Sequence, residues 1–286
     1  MRRSTILDLY HQTHRQNSLF ARMPIVAARV NYRTPASSWR RAGRSIWART
    51  TGLALTIVLS TGAVQAPFVP AEQRGSEVVS RFMAAVRACG IDPGKSPALV
   101  VKSDPPYMYY NGQDKTVHIS SWQEIPAPLQ DFFGAWSKQS TLDLDPSAMF
   151  SEIFNSLLVS HELGHHLQWL SGRNRTLDNW QLETEANQIA IAYWSIAPEG
   201  DAPIATRVTN FERFLGSLPN PVPAGTDAHA YFEANYEQLG SDPAAYGWYQ
   251  GAFMRTAWAN RHERDFCGWV KLNTPKKAPS DVPAAK

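Results

Sequence analysis

Residues 161–168 read HELGHHLQ, three histidines and a glutamate directly after the apolar run IFNSLLV. On a helix, side chains four apart share a face, so His161 and His165 can turn their imidazoles toward one point. Two imidazoles at that spacing suit a Zn2+ ion, with Zn–N bonds of about 2.0–2.1 Å. Glu162 sits too far round to bind the same ion in the same way. It can instead take a proton from a water on the metal, which is the chemistry of an H-E-x-x-H helix. Phe154, Leu157, Leu158, His161 and His165 fall at i, i+3, i+4, i+7 and i+11. Both histidines therefore continue an apolar stripe and are expected to face the core. Unpaired imidazoles there are costly unless hydrogen-bonded or metal-bound, and the plain alternative is a pair of satisfied core histidines. His166 faces away from them and is expected at the surface or behind the ligands.

A catalytic zinc keeps three protein ligands and one open position. The third ligand has to come from a neighbouring helix, and ETEAN at residues 183–187 offers two carboxylates, Glu183 and Glu185. Attack on a carbonyl also creates an oxyanion that needs a donor. YGWYQ at 246–250 carries Tyr246, Tyr249 and Gln250, and His229 and His262 are further candidates. Half-buried packing is the competing reading for the tyrosines.

The pairing of HELGHHLQ with ETEAN resembles the gluzincin type of zinc metallopeptidase, and looks similar to bacterial neutral zinc metallopeptidases that carry H-E-x-G-H-H-x-Q followed by E-x-x-A-D. The resemblance covers about 30 residues well and the segment before them loosely. It implies that His161 and His165 are zinc ligands, that Glu162 is the general base and that Glu183 is the third ligand. Asn187 falls where the family has an aspartate that orients a ligand histidine. Its carbonyl can accept the same bond without the charge, so weaker tuning of the ligand is expected. Helix geometry also favours Glu183, which lies about 70° from the apolar centre of its helix against about 90° for Glu185. Ala186 and Ala190 beside it are small enough to let two helices approach closely.

The elements that must position these residues follow from periodicity. Val78, Val79, Phe82, Met83 and Val86 make one stripe on a helix expected from Ser76 to Gly90. ALVV at 98–101 reads as a strand, and YMYY at 107–110 with TVHIS at 116–120 as a hairpin around Asn111-Gly112. A short helix is expected around LQDFFGAW. Asp145-Pro146 is a strong helix start, and that helix should run unbroken to Leu170 before Ser171-Gly172. Asp178 with Gln181 forms a capping-box pattern for a helix ending near Ile196. Helical stretches at 204–217, 228–239 and 243–262 follow. The expected fold is α+β: a small antiparallel sheet packed on a zincin-like catalytic helix, followed by a mainly helical C-terminal part. The domain is expected at 76–270, with a linker at 67–75 and a polar, Pro-rich tail at 271–286.

The 286 residues carry a formal net charge of +3, but the sign is unevenly spread. Ten arginines and one acid lie in the first 50 residues, residues 51–66 are uncharged, and the rest holds 18 basic against 24 acidic side chains. The acidic remainder gives no basic face for nucleic acid. The arginine-rich lead and the apolar TTGLALTIVLSTGAVQA at 50–66 read as an export signal cut after Ala63 or Ala66. The domain would then be periplasmic or secreted, and membrane-associated only if that segment stays as an anchor. In an oxidising compartment Cys89 and Cys267 are candidates for one disulfide. Taken together, the expectation is an exported zinc-dependent peptidase acting on a peptide or protein. The alternatives are a zinc hydrolase with a non-protein substrate and a non-catalytic binding module, for which Asn187 is the suggestive departure.

Overall fold

Five aspartates, Asp145, Asp178, Asp227, Asp242 and Asp265, each open a helix by accepting backbone N–H groups of its first turn. These caps, with Gly90 and Gly172 in left-handed backbone at helix ends, divide the chain into its elements. The structure is a computed structural model that describes residues 69–104, 107–197 and 201–274. The export signal, its cleavage sites and most of the expected tail lie outside those residues. No helix among the described residues is long and apolar enough to cross a membrane.

The fold is mixed and mostly helical. Helix α1 (Ala71–Ala88) precedes strands β1 (Ala98–Val101), β2 (Tyr109–Asn111) and β3 (Thr116–Ile119). Helices α2 (Ala127–Gln139) and α3 (Pro146–Glu152) follow, then a π-helical turn (Ile153–Leu157) and α4 (Leu158–Ser171). The C-terminal half holds α5 (Asn179–Ile196), α6 (Asp201–Leu215), α7 (Ala228–Gly240), α8 (Pro243–Ala259) and α9 (Phe266–Leu272).

Several expectations are corrected. The sheet is mixed, not antiparallel: its order is β1-β3-β2, with β1 parallel to β3 and only β2 and β3 forming the hairpin. Helix α1 starts at Ala71, so only the first part of the expected linker lies outside it. Helix α9 crosses the expected domain end at residue 270.

The expected unbroken helix from Asp145 is interrupted by the π-turn. A π-turn inserts one extra residue and shifts the register of the stripe drawn through it at strict α spacing; Leu157 stays fully buried in the core, and Phe154 and Leu158 pack against it. Phe154, Leu158, His161 and His165 also line a cleft. The core touches the other sides of α4, where Val159, Leu163 and Leu167 are buried. Helix α4 is thus enclosed by the sheet, α1 and α5.

Two features tie this centre together. Glu152, at the end of α3, pairs with Arg74 of α1 at 2.6 Å and also with Arg207 of α6. Cys89, just past α1, is bonded to Cys267 in α9, closing 178 residues. Closing a loop of that length removes denatured-state entropy equivalent to about 3–5 kcal/mol in the chain-entropy model. Replacing Cys267 with Ser is therefore expected to lower the melting temperature by roughly 10 °C, read by thermal circular dichroism. An unchanged melting temperature, with the bridge shown intact in the parent protein, would contradict that account.

Candidate metal centre

The site exists because α4 and α5 nearly touch. A Cβ on Gly164 would meet the Cα of Ala186 at 3.0 Å and its carbonyl oxygen at 3.2 Å. A glycine facing an alanine lets the backbones close to a distance that larger side chains forbid. Ala186, expected to permit this approach, is one half of the contact; Gly164 inside the motif is the other.

At that distance His161 and His165 of α4 face Glu183 of α5. The two Nε2 atoms lie 3.1 Å apart. Glu183 Oε2 is 3.3 Å from His161 Nε2, and its Oε1 is 3.8 Å from His165 Nε2. A tetrahedral ion with bonds of about 2.0–2.1 Å sets its ligand atoms about 3.3 Å apart, and the nearest atoms of these three side chains lie close to that spacing. His161 Nδ1 is buried and has no hydrogen-bond partner. Whichever ring nitrogen of His161 holds the proton, hydrogen bonding among the three residues leaves Nδ1 unsatisfied, which is unusual for a buried polar atom. Two imidazoles and a carboxylate form a donor set that could hold a metal ion, and one that suits Zn2+.

The carboxylate of Glu183 is buried and surrounded by donors. Tyr236 Oη donates to Oε1 at 3.2 Å, and Gln250 Nε2 to Oε2 at 2.9 Å. Burial alone would raise its pKa, but the hydrogen bond from His161, the nearby His165 and the Gln250 donor outweigh it and hold the group well below the usual carboxylate range. Glu162 has the opposite fate. Burial pushes its pKa up, His165 opposes this, Glu183 adds to it, and a bond from the Tyr110 backbone N–H lowers it again, leaving a value of about 7. Two neighbouring carboxylates are thereby split into one that stays charged and one that can carry a proton near neutral pH.

The structure disposes of the remaining candidates as follows. Glu185 is turned away, held by Arg173 at 2.5 and 3.0 Å and by Gln168 at 3.3 Å. Asn187 does not bond either histidine: its Nδ2 donates to the Glu183 carbonyl at 3.0 Å and to Gln250 Oε1 at 3.3 Å, and its Oδ1 has no partner. The amide supports Glu183, not a ligand ring, so its expected role is corrected. Tyr246 lines the cleft and accepts from Gln250 at 3.0 Å. Tyr249 packs in a separate core cluster with Phe232 and Phe253, its hydroxyl on the Ala228 carbonyl. His229 stacks on Trp180 and pairs with Asp178 at 3.1 Å. Tyr249 and His229 are thus not brought to the cleft. His166 is fully buried, not at the surface, and bonds Tyr110 Oη at 2.9 Å.

Tyr236 was not foreseeable from spacing, and the parts played by Gln168 and Gln250 were missed. Tyr236 follows Asn235, whose non-helical backbone kinks α7, and no motif marks it. Gln168 sits three residues from His165, a spacing that places it on the same face.

The cleft has a volume of about 100 Å3 and is walled mainly by apolar side chains, among them Phe132, Phe133, Trp136 and Phe211. No family model, curated protein or solved structure matches the chain.

The geometry separates the two ETEAN carboxylates experimentally. Glu183→Ala is expected to weaken Zn2+ binding by more than about 100-fold in a chelator-competition titration, because it removes a direct donor. Glu185→Ala should cost less, roughly tenfold, because it only supports a ligand. The reverse order would move the third ligand to Glu185. Gly164→Ala should destabilise the protein by about 1–3 kcal/mol in urea unfolding and weaken Zn2+ binding with it, since the helix backbones must part.

Proposed function

We propose that this chain is an exported zinc-dependent peptidase. In this reading His161, His165 and Glu183 hold the ion, Glu162 is the proton carrier, and the packing of sheet on α4 is zincin-like. The observation that carries it is the triangle of two imidazole nitrogens and a carboxylate at 3.1, 3.3 and 3.8 Å, with Glu162 buried next to it on the wall of a cleft. The resemblance of HELGHHLQ and ETEAN to gluzincin motifs supports the same assignment.

Zinc held by this triad supplies Lewis acidity at the mouth of the cleft. The chain's own residues do the rest. Glu162, buried beside the two histidines on the cleft wall, accepts a proton from the attacking water and later gives it to the leaving amine. Glu183 stays ionised through its donors Tyr236 and Gln250. The Tyr246 hydroxyl, on the same wall, is the candidate donor to the developing oxyanion. Strand β2 is an edge of the sheet, and Tyr107 and Met108 just before it line the cleft. A sheet edge beside the cleft favours an extended peptide as substrate, lying along it. The Cys89–Cys267 bridge supports an oxidising compartment, in keeping with the signal-like residues 50–66.

The aromatic walls favour one second reading, a zinc hydrolase acting on an apolar non-peptide ester or amide. The test covers both. The purified protein is expected to contain zinc and to cleave an unfolded protein such as reduced casein. Chelation should abolish cleavage, and added Zn2+ should restore it. Glu162→Gln should keep its zinc and lose about 10²–10⁴-fold in rate, the usual worth of a positioned acid–base group. Equal cleavage by variant and parent would refute the role of Glu162. Zinc bound without cleavage of any peptide, together with hydrolysis of an apolar ester, would favour the second reading.

A further inference from the structure

We infer that Gln168, locked by Glu185 and Arg173, is a positioning residue that fixes the proton of His165 on Nδ1, leaving the Nε2 lone pair aimed into the site. This rests on the zinc-site reading above but concerns the chain's own hydrogen-bond network.

The argument runs outward from a carbonyl that can only accept. One end of the Gln168 amide lies 3.0 Å from the Leu182 carbonyl oxygen and 3.3 Å from Glu185 Oε1. Both partners are acceptors, so that end must be the NH2 group. The other end is then the oxygen, and it lies 2.8 Å from His165 Nδ1. An amide oxygen cannot donate, so Nδ1 must carry the hydrogen. The opposite ring nitrogen, Nε2, is the atom 3.1 Å from His161 Nε2 and 3.8 Å from Glu183 Oε1. In the neutral ring it holds a lone pair, the form a metal ligand needs.

Flipping the amide would set its oxygen against two acceptors, the Leu182 carbonyl and the Glu185 carboxylate. Arg173 prevents relief by movement of Glu185, because its guanidinium grips both carboxylate oxygens in a fork. Gln168 is 1% exposed, so water does not offer an alternative partner. The network therefore works through an amide where metal sites more often use a carboxylate directly on the ring.

The test reads the ring itself. In metal-free protein labelled with 15N-histidine, the long-range 15N–1H spectrum of His165 is expected to show the Nδ1–H tautomer. Gln168→Met, which keeps the volume but lacks the oxygen, should shift His165 toward Nε2–H or a mixture. The same variant should bind Zn2+ about 10–100-fold more weakly by chelator competition, the usual cost of losing such a partner. An Nε2–H tautomer in the parent protein would overturn the proposal, and this measurement needs no variant. So would a Gln168→Met protein with unchanged tautomer and unchanged affinity. Failure of the peptidase reading looks different: Glu162→Gln would cleave like the parent while the tautomer of His165 stayed as stated.

Discussion

The contact between Gly164 and Ala186 is the constraint on which the site depends. Three ligand atoms from two helices converge only if the helix axes come closer than ordinary side chains allow, and a Cβ at 164 would already press on the Ala186 backbone. Everything around this contact holds it shut. Helix α4 is enclosed by the sheet, α1 and α5, and Glu152 joins α3 to arginines on α1 and α6 at the point where the π-turn begins. The hairpin also bears on α4: a Cβ at Gly112 would strike the Trp169 ring at 2.3 Å. Helix α4 is therefore gripped near both ends, and the cleft opens along the one stripe that is left.

The second constraint is the cost of burying charge. Glu162 and Glu183 are 7% and 1% exposed, and two buried carboxylates side by side cannot both ionise without compensation. The fold resolves this unequally. Glu183 collects donors from α7 and α8 as well as the histidines, so it keeps its charge. Glu162 has one backbone donor, and its proton is held loosely enough to move near neutral pH. The difference between the two carboxylates follows from the count of donors at each.

Much of this was legible in the sequence, and what was missed shares one cause. The caps at Asp145 and Asp178, the hairpin at Asn111-Gly112 and the facing of His161, His165 and Glu183 follow from local chemistry and helical spacing. The π-turn was not legible, because nothing in IFNSL departs from an α pattern; the extra residue is accommodated by tertiary contacts such as Asn155 to the Ser120 carbonyl. Strand β1 joined β3 in parallel, which requires the chain to return through residues 102–115, and alternation in ALVV says nothing about partner or direction. Tyr236 reaches Glu183 across 53 residues of chain, beyond any local signal.

Asn187 is where these two constraints meet. A carboxylate at that position would be a third buried negative charge beside Glu183 and Glu162, on a helix already packed against the motif. The asparagine instead donates to the Glu183 carbonyl and links it to Gln250, so it supports the ligand without adding charge. A negative partner sits behind His165 at Glu185, itself buried, where the half-buried Arg173 pairs with it and Gln168 links it to the ring as a neutral dipole. Pairing that charge with Arg173 offsets its desolvation, and the intervening amide keeps the directional bond on His165. The ring of His161 receives no such bond, and its buried Nδ1 stays unpaired. The two histidines of the motif are therefore unequal: His165 is oriented by a locked network, and His161 by packing and by its facing of Glu183.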